Sequence, residues 1–254
     1  ADAASRHGLT PELDLTGRLM ALLPPNQIRE LCHFASLSDK EIRSDLIIGE
    51  IASENDYTSN FTGALRRNIN SYSHTGLKAK SFVLRPPEER ETGCDAAIIV
   101  RRGRIGKILL IEGKWPRLST ANYKWDSKQT SSGLSHFSDQ LSRQSTFANR
   151  YAIVEMFYDE QAFGASASYM QPDGSACVWH RDAVAFESSR GGAPNVWSQA
   201  ELIAMLSQGT HDIAHIVEQV CLCVEGIPMG MPDSPRIDIL DFPLPSNVLE
   251  ISAE

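Results

Sequence analysis

The chain has 254 residues, 42% of them hydrophobic and 22% charged, with 24 Lys and Arg against 32 Asp and Glu for a formal net charge of −8. That is a globular composition, long enough for a real core in one large domain or two small ones. No apolar run approaches the roughly 20 residues that span a bilayer, and Ala1 to Gly8 hold no apolar stretch, so neither a membrane span nor a retained signal peptide is expected.

Helical signals come first. Thr10-Pro11-Glu12 offers an N-cap, a proline at the first helical position and an early acid, and Pro24-Pro25 interrupts the pattern. Ser38-Asp39-Lys40-Glu41 has the form of a capping box opening a helix with Ile42, Leu46, Ile47 and Ile51 on one face. A further helix is predicted over Thr58 to Ser71, where Phe61, Leu65 and Ile69 recur every fourth residue. The period then changes. Ala79 to Leu84 is a short strand closed by Pro86-Pro87, and Asp95 to Val100 and Lys107 to Ile111 form a hairpin about Arg101-Arg102-Gly103-Arg104. Gln129 to Asn149 is predicted helical through Leu134, Phe137, Leu141 and Phe147, and Tyr151 to Tyr158 is predicted as a buried strand. Tyr169 to Phe186 is predicted as a second hairpin about Pro172-Asp173-Gly174. Ser198-Gln199-Ala200-Glu201 is another capping box, Thr210 is the expected cap of a helix toward Cys223, and the chain after Gly226 reads as Pro-rich and irregular with an acidic tail. The sum is a three-layer α/β domain with a mixed central sheet between helices. Its parts are an N-terminal helical region at 1–55, a core at 56–160, and a β-hairpin and helical C-terminal extension of the same domain at 161–254.

Cys32, Cys94, Cys177, Cys221 and Cys223 are odd in number and scattered, which fits reduced thiols and a cytoplasmic location. The charge is uneven. Asn60 to Arg150 carries 16 Lys and Arg against 7 Asp and Glu, a net of +9, and the remainder carries −17. An overall −8 argues against a nucleic-acid partner, but a basic middle inside an acidic shell does not.

The chemistry concentrates in that middle. In Ile108-Leu109-Leu110-Ile111-Glu112-Gly113-Lys114, strand alternation puts Ile108, Leu110, Glu112 and Lys114 on one face. Opposite charges thus extend an apolar face, which is costly unless they are paired or hold a metal. Asp95 opens the preceding strand and is expected to reach Glu112 only if the strands cross or bend. Two such carboxylates, with the Gly113 carbonyl, suit a hard cation such as Mg²⁺. A cation there polarises a phosphate and acidifies an attacking water, and a lysine orients that water.

This arrangement resembles the PD-(D/E)xK nuclease superfamily, whose restriction-endonuclease-like fold carries an acid on one strand and E-x-K on the next. Asp95 matches the first acid and Glu112-Gly113-Lys114 the second element, with Cys94 where many members have proline. The resemblance implies an acid on a preceding helix, Glu54 or in its stead Glu50, and a glutamine on the helix after E-x-K, Gln140 or Gln144. It implies Asp95, Glu112, Lys114, Glu54 and Gln140 as catalytic residues. Asp95, Glu112 and Gly113 would hold Mg²⁺, for which Mn²⁺ can substitute.

Basic residues about the motif have a ready use on phosphates: Arg66, Arg67, Lys80, Arg117, Lys124, Lys128 and Arg143, with Lys78, Arg101, Arg102, Arg104 and Lys107. Trp115, Tyr123 and Trp125 are placed to stack on exposed bases. His211-Asp212-Ile213-Ala214-His215, followed by Cys221 and Cys223, is a competing zinc constellation. It sits on an ordinary amphipathic pattern and lacks the glutamate base of a metalloprotease. The expectation is therefore a Mg²⁺-dependent endodeoxyribonuclease acting on double-stranded DNA, in the manner of a bacterial antiviral defence effector governed by a partner protein or by homo-oligomerisation. Its rivals are a sequence-specific restriction enzyme and a non-catalytic subunit that keeps the fold to bind nucleic acid or a partner.

Overall fold

The computed structural model describes residues 21–83, 93–118, 125–130, 133–190, 195–232 and 244–253. The expected cap at Thr10, the Pro86-Pro87 stop, Tyr123 and Lys124 lie outside these residues. The elements run α1 (Pro25–Ile47), α2 (Glu54–Tyr72), β1 (Leu77–Val83), β2 (Ala96–Arg102), β3 (Ile105–Lys114), α3 (His136–Ser145), β4 (Ala152–Phe157), β5 (Ala176–Trp179), α4 (His180–Ser189), α5 (Gln199–Leu206), α6 (Ile213–Cys221), β6 (Met229–Gly230) and β7 (Asn247–Ala253).

The strands form one mixed sheet in the order β1-β7-β2-β3-β4-β5, with β6 pairing an end of β3. β2 and β3 are an antiparallel hairpin, while β3–β4 and β2–β7 are parallel. Each central strand buries both faces, as near-continuous Ile, Leu and Val runs require. On one face Ile98, Val100, Leu109, Ile111, Val154 and Leu249 pack with α1, α2 and α6. On the other, Ile99, Ile108 and Leu110 cover the centre, and Phe157 and Val178 pack under α3, α4 and α5. The predicted three-layer α/β architecture is therefore present.

Several elements differ from the sequence expectation, each for a physical reason. α1 runs unbroken through Ser38-Asp39, because the supposed cap faces inward. Asp39 accepts from Ser175 N (2.6 Å), Ser175 Oγ (2.7 Å) and Tyr57 Oη (2.7 Å), and Ser38 Oγ donates back to Phe34 O. One turn on, the wholly buried Arg43 donates to Gln171 O (3.1 Å), Gly174 O (3.2 Å) and Asp159 Oδ2 (3.1 Å). That guanidinium occupies carbonyls of the Pro172-Asp173-Gly174 segment, so the expected second hairpin is instead a clamped loop, the short strand β5 and helix α4. Asp212, not Thr210, caps α6, accepting from His215 N at 2.7 Å. The tail expected to be irregular holds β7, which pairs with both β1 and β2 in the middle of the sheet.

The Ser198 capping box is present as expected. Ser198 Oγ accepts from Glu201 N, Glu201 accepts from Ser198 N, and Glu201 also pairs with Arg190 Nε at 2.9 Å. The hydrogen bond from Arg190, with those from Ser198, holds the Glu201 carboxyl down at about 2. A carboxyl lowered on folding stabilises above its ordinary value and loses that contribution as pH falls through its folded value. Glu201→Gln is expected to lower Tm by about 2–4 °C at pH 7. In thermal melts followed across pH, that gap should shrink between pH 4.5 and 2.

Candidate functional site

The site is assembled by the register of the β2–β3 hairpin. Arg102 pairs with Ile105 across a two-residue loop whose Gly103 takes φ +59°, a conformation glycine adopts without steric cost. Counting back, Ala96 faces Ile111 and Asp95 N donates to Ile111 O at 2.9 Å, so Asp95 lies beside the Ile111–Gly113 end of β3. The strands do not cross, because in an antiparallel pair the start of one lies beside the end of the other; the chain does bend at Asp95, just before β2. The Asp95 carboxylate then turns to the strand end and accepts from Gly113 N at 2.8 Å.

β3 is an interior strand, so Glu112 and Lys114 are 1% and 6% exposed. Ile108 and Leu110 share their face, as alternation predicts. Glu112 Oε1 accepts from Lys114 Nζ and from Gln140 Nε2. Gln140 is placed by α3, whose N-cap Ser135 accepts from Ser138 N at 3.0 Å and is itself fixed by the buried Asp126. The Oε1 of Gln140 is buried with no hydrogen-bond partner among the described residues. Gln144, one turn later, serves elsewhere: it donates to Gly93 O at 2.9 Å and so pins the approach to Asp95.

Glu54 comes from the opposite layer. Ser53 caps α2, accepting from Asp56 N at 3.1 Å, and sets Glu54 in the first turn, where the helix dipole favours a carboxylate. Its Oε1 accepts from Trp115 N at 2.8 Å, fastening the residue after Lys114. Glu50 lies exposed outside the site.

Asp95, Glu112 and Glu54 thus surround a single ammonium. Burial, and then the Asp95 carboxylate, push Glu112 well above the usual carboxylate range. Burial lowers the Lys114 ammonium, but Glu112, Glu54 and Asp95 outweigh it and hold its proton more tightly than usual. Among the described residues no group of three or more His, Cys, Asp or Glu side chains is arranged to hold an ion. The protein ligands on offer to a cation here are therefore a carboxylate pair, Asp95 and Glu112, with backbone oxygen. The alternative zinc constellation is not assembled either: the His211 and His215 rings stack at 4.4 Å, while Cys221 is buried in the core.

The basic residues divide. Arg66 and Lys80 line an open groove of about 410 Å³ with Ser59, Thr62 and Asn247, and Asn247 Nδ2 donates to Asp95 O at 3.4 Å, so the groove leads away from the site. Arg67, Lys78, Arg104 and Lys128 are exposed, as is Arg117, whose guanidinium lies 4.2 Å over the Trp115 ring. Arg143 is half-buried against Asp139 at 3.0 Å. Arg101 is committed to Gly103 O, Pro232 O and Glu250. Lys107 is wholly buried, so it cannot meet a phosphate. Trp125 packs edge-on to Phe137 and Trp197 at 5.1 and 5.9 Å, which makes it a core residue and not a stacking platform.

Sequence reasoning missed Glu155. It pairs in register with Glu112 on β4 and is fully buried, with Oε1 3.2 Å from His180 Nδ1. The signal was present, a lone acid inside Ala152-Ile153-Val154-Glu155-Met156-Phe157, and it is the same signal that singled out Glu112.

No protein-family model matches the chain, and neither curated proteins nor solved structures give a match.

Gly113 is fixed by packing. A Cβ there would overlap the Tyr158 hydroxyl and approach Thr58 Oγ1 to 2.7 Å. Gly113→Ala is expected to cost roughly 1–3 kcal/mol in urea unfolding, and adding Tyr158→Phe should return part of it.

Proposed function

We propose that this chain is a divalent-metal-dependent nuclease of the restriction-endonuclease-like type, hydrolysing phosphodiester bonds in DNA. The observation that carries the reading is the Asp95 carboxylate on Gly113 N beside Glu112, with Lys114 Nζ on the Glu112 carboxylate and Gln140 behind it. α2 and α3 supply Glu54 and Gln140 from opposite sides of the sheet, the positions that the resemblance to PD-(D/E)xK nucleases implies.

The residues fit a hard dication. Three carboxylates face one ammonium, and the site meets this excess of negative charge by raising the Glu112 carboxyl. Gln140 Oε1 is a buried oxygen with nothing to accept. Mg²⁺, or Mn²⁺ in its place, would be held by Asp95, Glu112 and the Gly113 carbonyl, the one or two carboxylates plus water and phosphate that Mg²⁺ prefers. Bound there it would polarise the scissile phosphate and acidify water.

The chain's own residues do the rest. Lys114, aimed by Glu112, orients the attacking water and offsets charge growing on the phosphate. Gln140 Oε1 accepts a hydrogen from that water. Glu54 fixes the strand end through Trp115 N, so the Lys114 ammonium keeps its aim. Water adds to phosphorus and releases a proton to solvent, the bond to the leaving oxygen breaks, and that oxygen takes up a proton from solvent. The groove with Arg66 and Lys80 carries the neighbouring stretch of duplex. The acidic outer residues suit a regulatory partner or a second copy, as in a defence effector of the bacterial cytoplasm.

A second reading has its own observation: the Glu112–Lys114 ion pair is closed on itself, which suits a binding subunit that keeps the fold without cleaving. Cleavage of plasmid DNA separates the two. Asp95→Ala and Lys114→Ala are expected to slow Mg²⁺-dependent nicking by roughly 10²–10⁴-fold, and EDTA should stop it. Parental rates in either variant, or no cleavage by the parent with DNA bound, overturn the nuclease assignment. In a salt titration of DNA binding, Arg66→Ala with Lys80→Ala should flatten the log–log slope by about 2.

A further inference from the structure

A second constellation lies where α3 and α4 meet over β4. Glu155 is fully buried, and its Oε1 stands 3.2 Å from Nδ1 of His180, the first residue of α4, itself 3% exposed. The other ring nitrogen, Nε2, stands 3.1 Å from Oγ of Ser145, the exposed last residue of α3. A serine at the surface, a histidine beneath it and a buried glutamate beneath that are nucleophile, base and orienting acid in the order that nucleophilic hydrolysis needs. Both separations fall within hydrogen-bonding reach.

Two features lie next to His180. With Ala148, Tyr151, Trp179, Arg181 and Glu225 it lines a cavity of about 180 Å³, of which Ser145 is not a lining residue, so an ester would meet Ser145 from the exposed side. The ten-residue α4 opens at Trp179, whose side chain makes no cap hydrogen bond.

We propose that Ser145, His180 and Glu155 form a second hydrolytic site, an esterase site for small acyl esters, whose Glu155 lies across the β3–β4 pair from Glu112. The Ser145 hydroxyl rests on Leu141 O at 2.8 Å, and rotation about its Cβ–Oγ bond turns the hydrogen to Nε2. Glu155 accepts the Nδ1 hydrogen and so leaves the Nε2 lone pair facing Ser145. Oγ then adds to the ester carbonyl carbon while its proton passes to Nε2. The bond from the acyl carbon to the alcohol oxygen breaks, and that oxygen leaves with the proton from Nε2. Water adds to the acyl-serine in the same way, giving the carboxylic acid and restoring Ser145 Oγ–H.

The test uses the full chain with a fluorophosphonate probe, in which Ser145 Oγ forms a bond to phosphorus and fluoride leaves, and with p-nitrophenyl acetate. Labelling is expected at Ser145 by peptide mass spectrometry. Ser145→Ala should lose it at an unchanged melting temperature, and ester turnover should fall by about 10²-fold or more in Ser145→Ala and in His180→Gln. A parent chain unlabelled at Ser145, or a Ser145→Ala chain that turns over the acetate at the parental rate, overturns the proposal. Neither readout depends on whether the chain cuts DNA.

Discussion

A carboxylate buried in the middle of an apolar sheet is the constraint around which this molecule is arranged. Glu112 sits on an interior strand at 1% exposure, where an unpaired charge would be prohibitive. Three elements supply compensation: β3 brings Lys114 two residues on, α3 brings Gln140, and α2 fastens the strand end through Glu54 and Trp115 N. β2 and β4 do the reverse: the approach to β2 places the Asp95 carboxylate on Gly113 N, and β4 sets Glu155 in register with Glu112. That gathering of acids about one ammonium is the charge pattern that the proposed dication would answer.

The arrangement is legible in sequence because it rests on local rules. Strand alternation gives the shared face of Glu112 and Lys114, and a two-residue loop at Gly103 fixes which residue of β2 faces which residue of β3. That register brings Asp95, at a bend just before β2, to the Glu112 end of β3. Other local signals misled because tertiary partners outbid them. Ser38-Asp39 has the form of a cap, yet Asp39 accepts from Ser175 and Tyr57 across the core, and α1 continues through it. Pro172-Asp173-Gly174 has the form of a hairpin turn, yet Arg43 takes the Gly174 carbonyl.

Charge shows the same split between pattern and place. The +9 segment contains Asp95, Glu112, Lys114 and Gln140, but its described cations differ in what they can do. Arg66 and Lys80 border an open groove, Arg101 is tied to Glu250, and Lys107 is sealed beneath the sheet. A count of cations along a chain cannot separate these, because exposure is decided by which face of which strand the residue occupies. Glu155 was overlooked for the complementary reason: on its own strand it has no charged neighbour, and its meaning comes only from its neighbours, Glu112 across the pair and His180 at the start of α4.

The place of β7 has a consequence for the order in which the molecule can form. Residues 247–253 insert between β1 and β2, which lie about 150 to 175 positions earlier, so the strand leading from Asp95 keeps an open edge until β7 has joined it. Pairings across such separations are slow to close, since the intervening loop must be ordered before any contact rewards it. A hairpin of β2 and β3 alone is marginal in water, so the setting of Asp95 and Glu112 depends on the far strand that closes the sheet beside it. β7 acts as a keystone: it ties the candidate site to residues far along the chain.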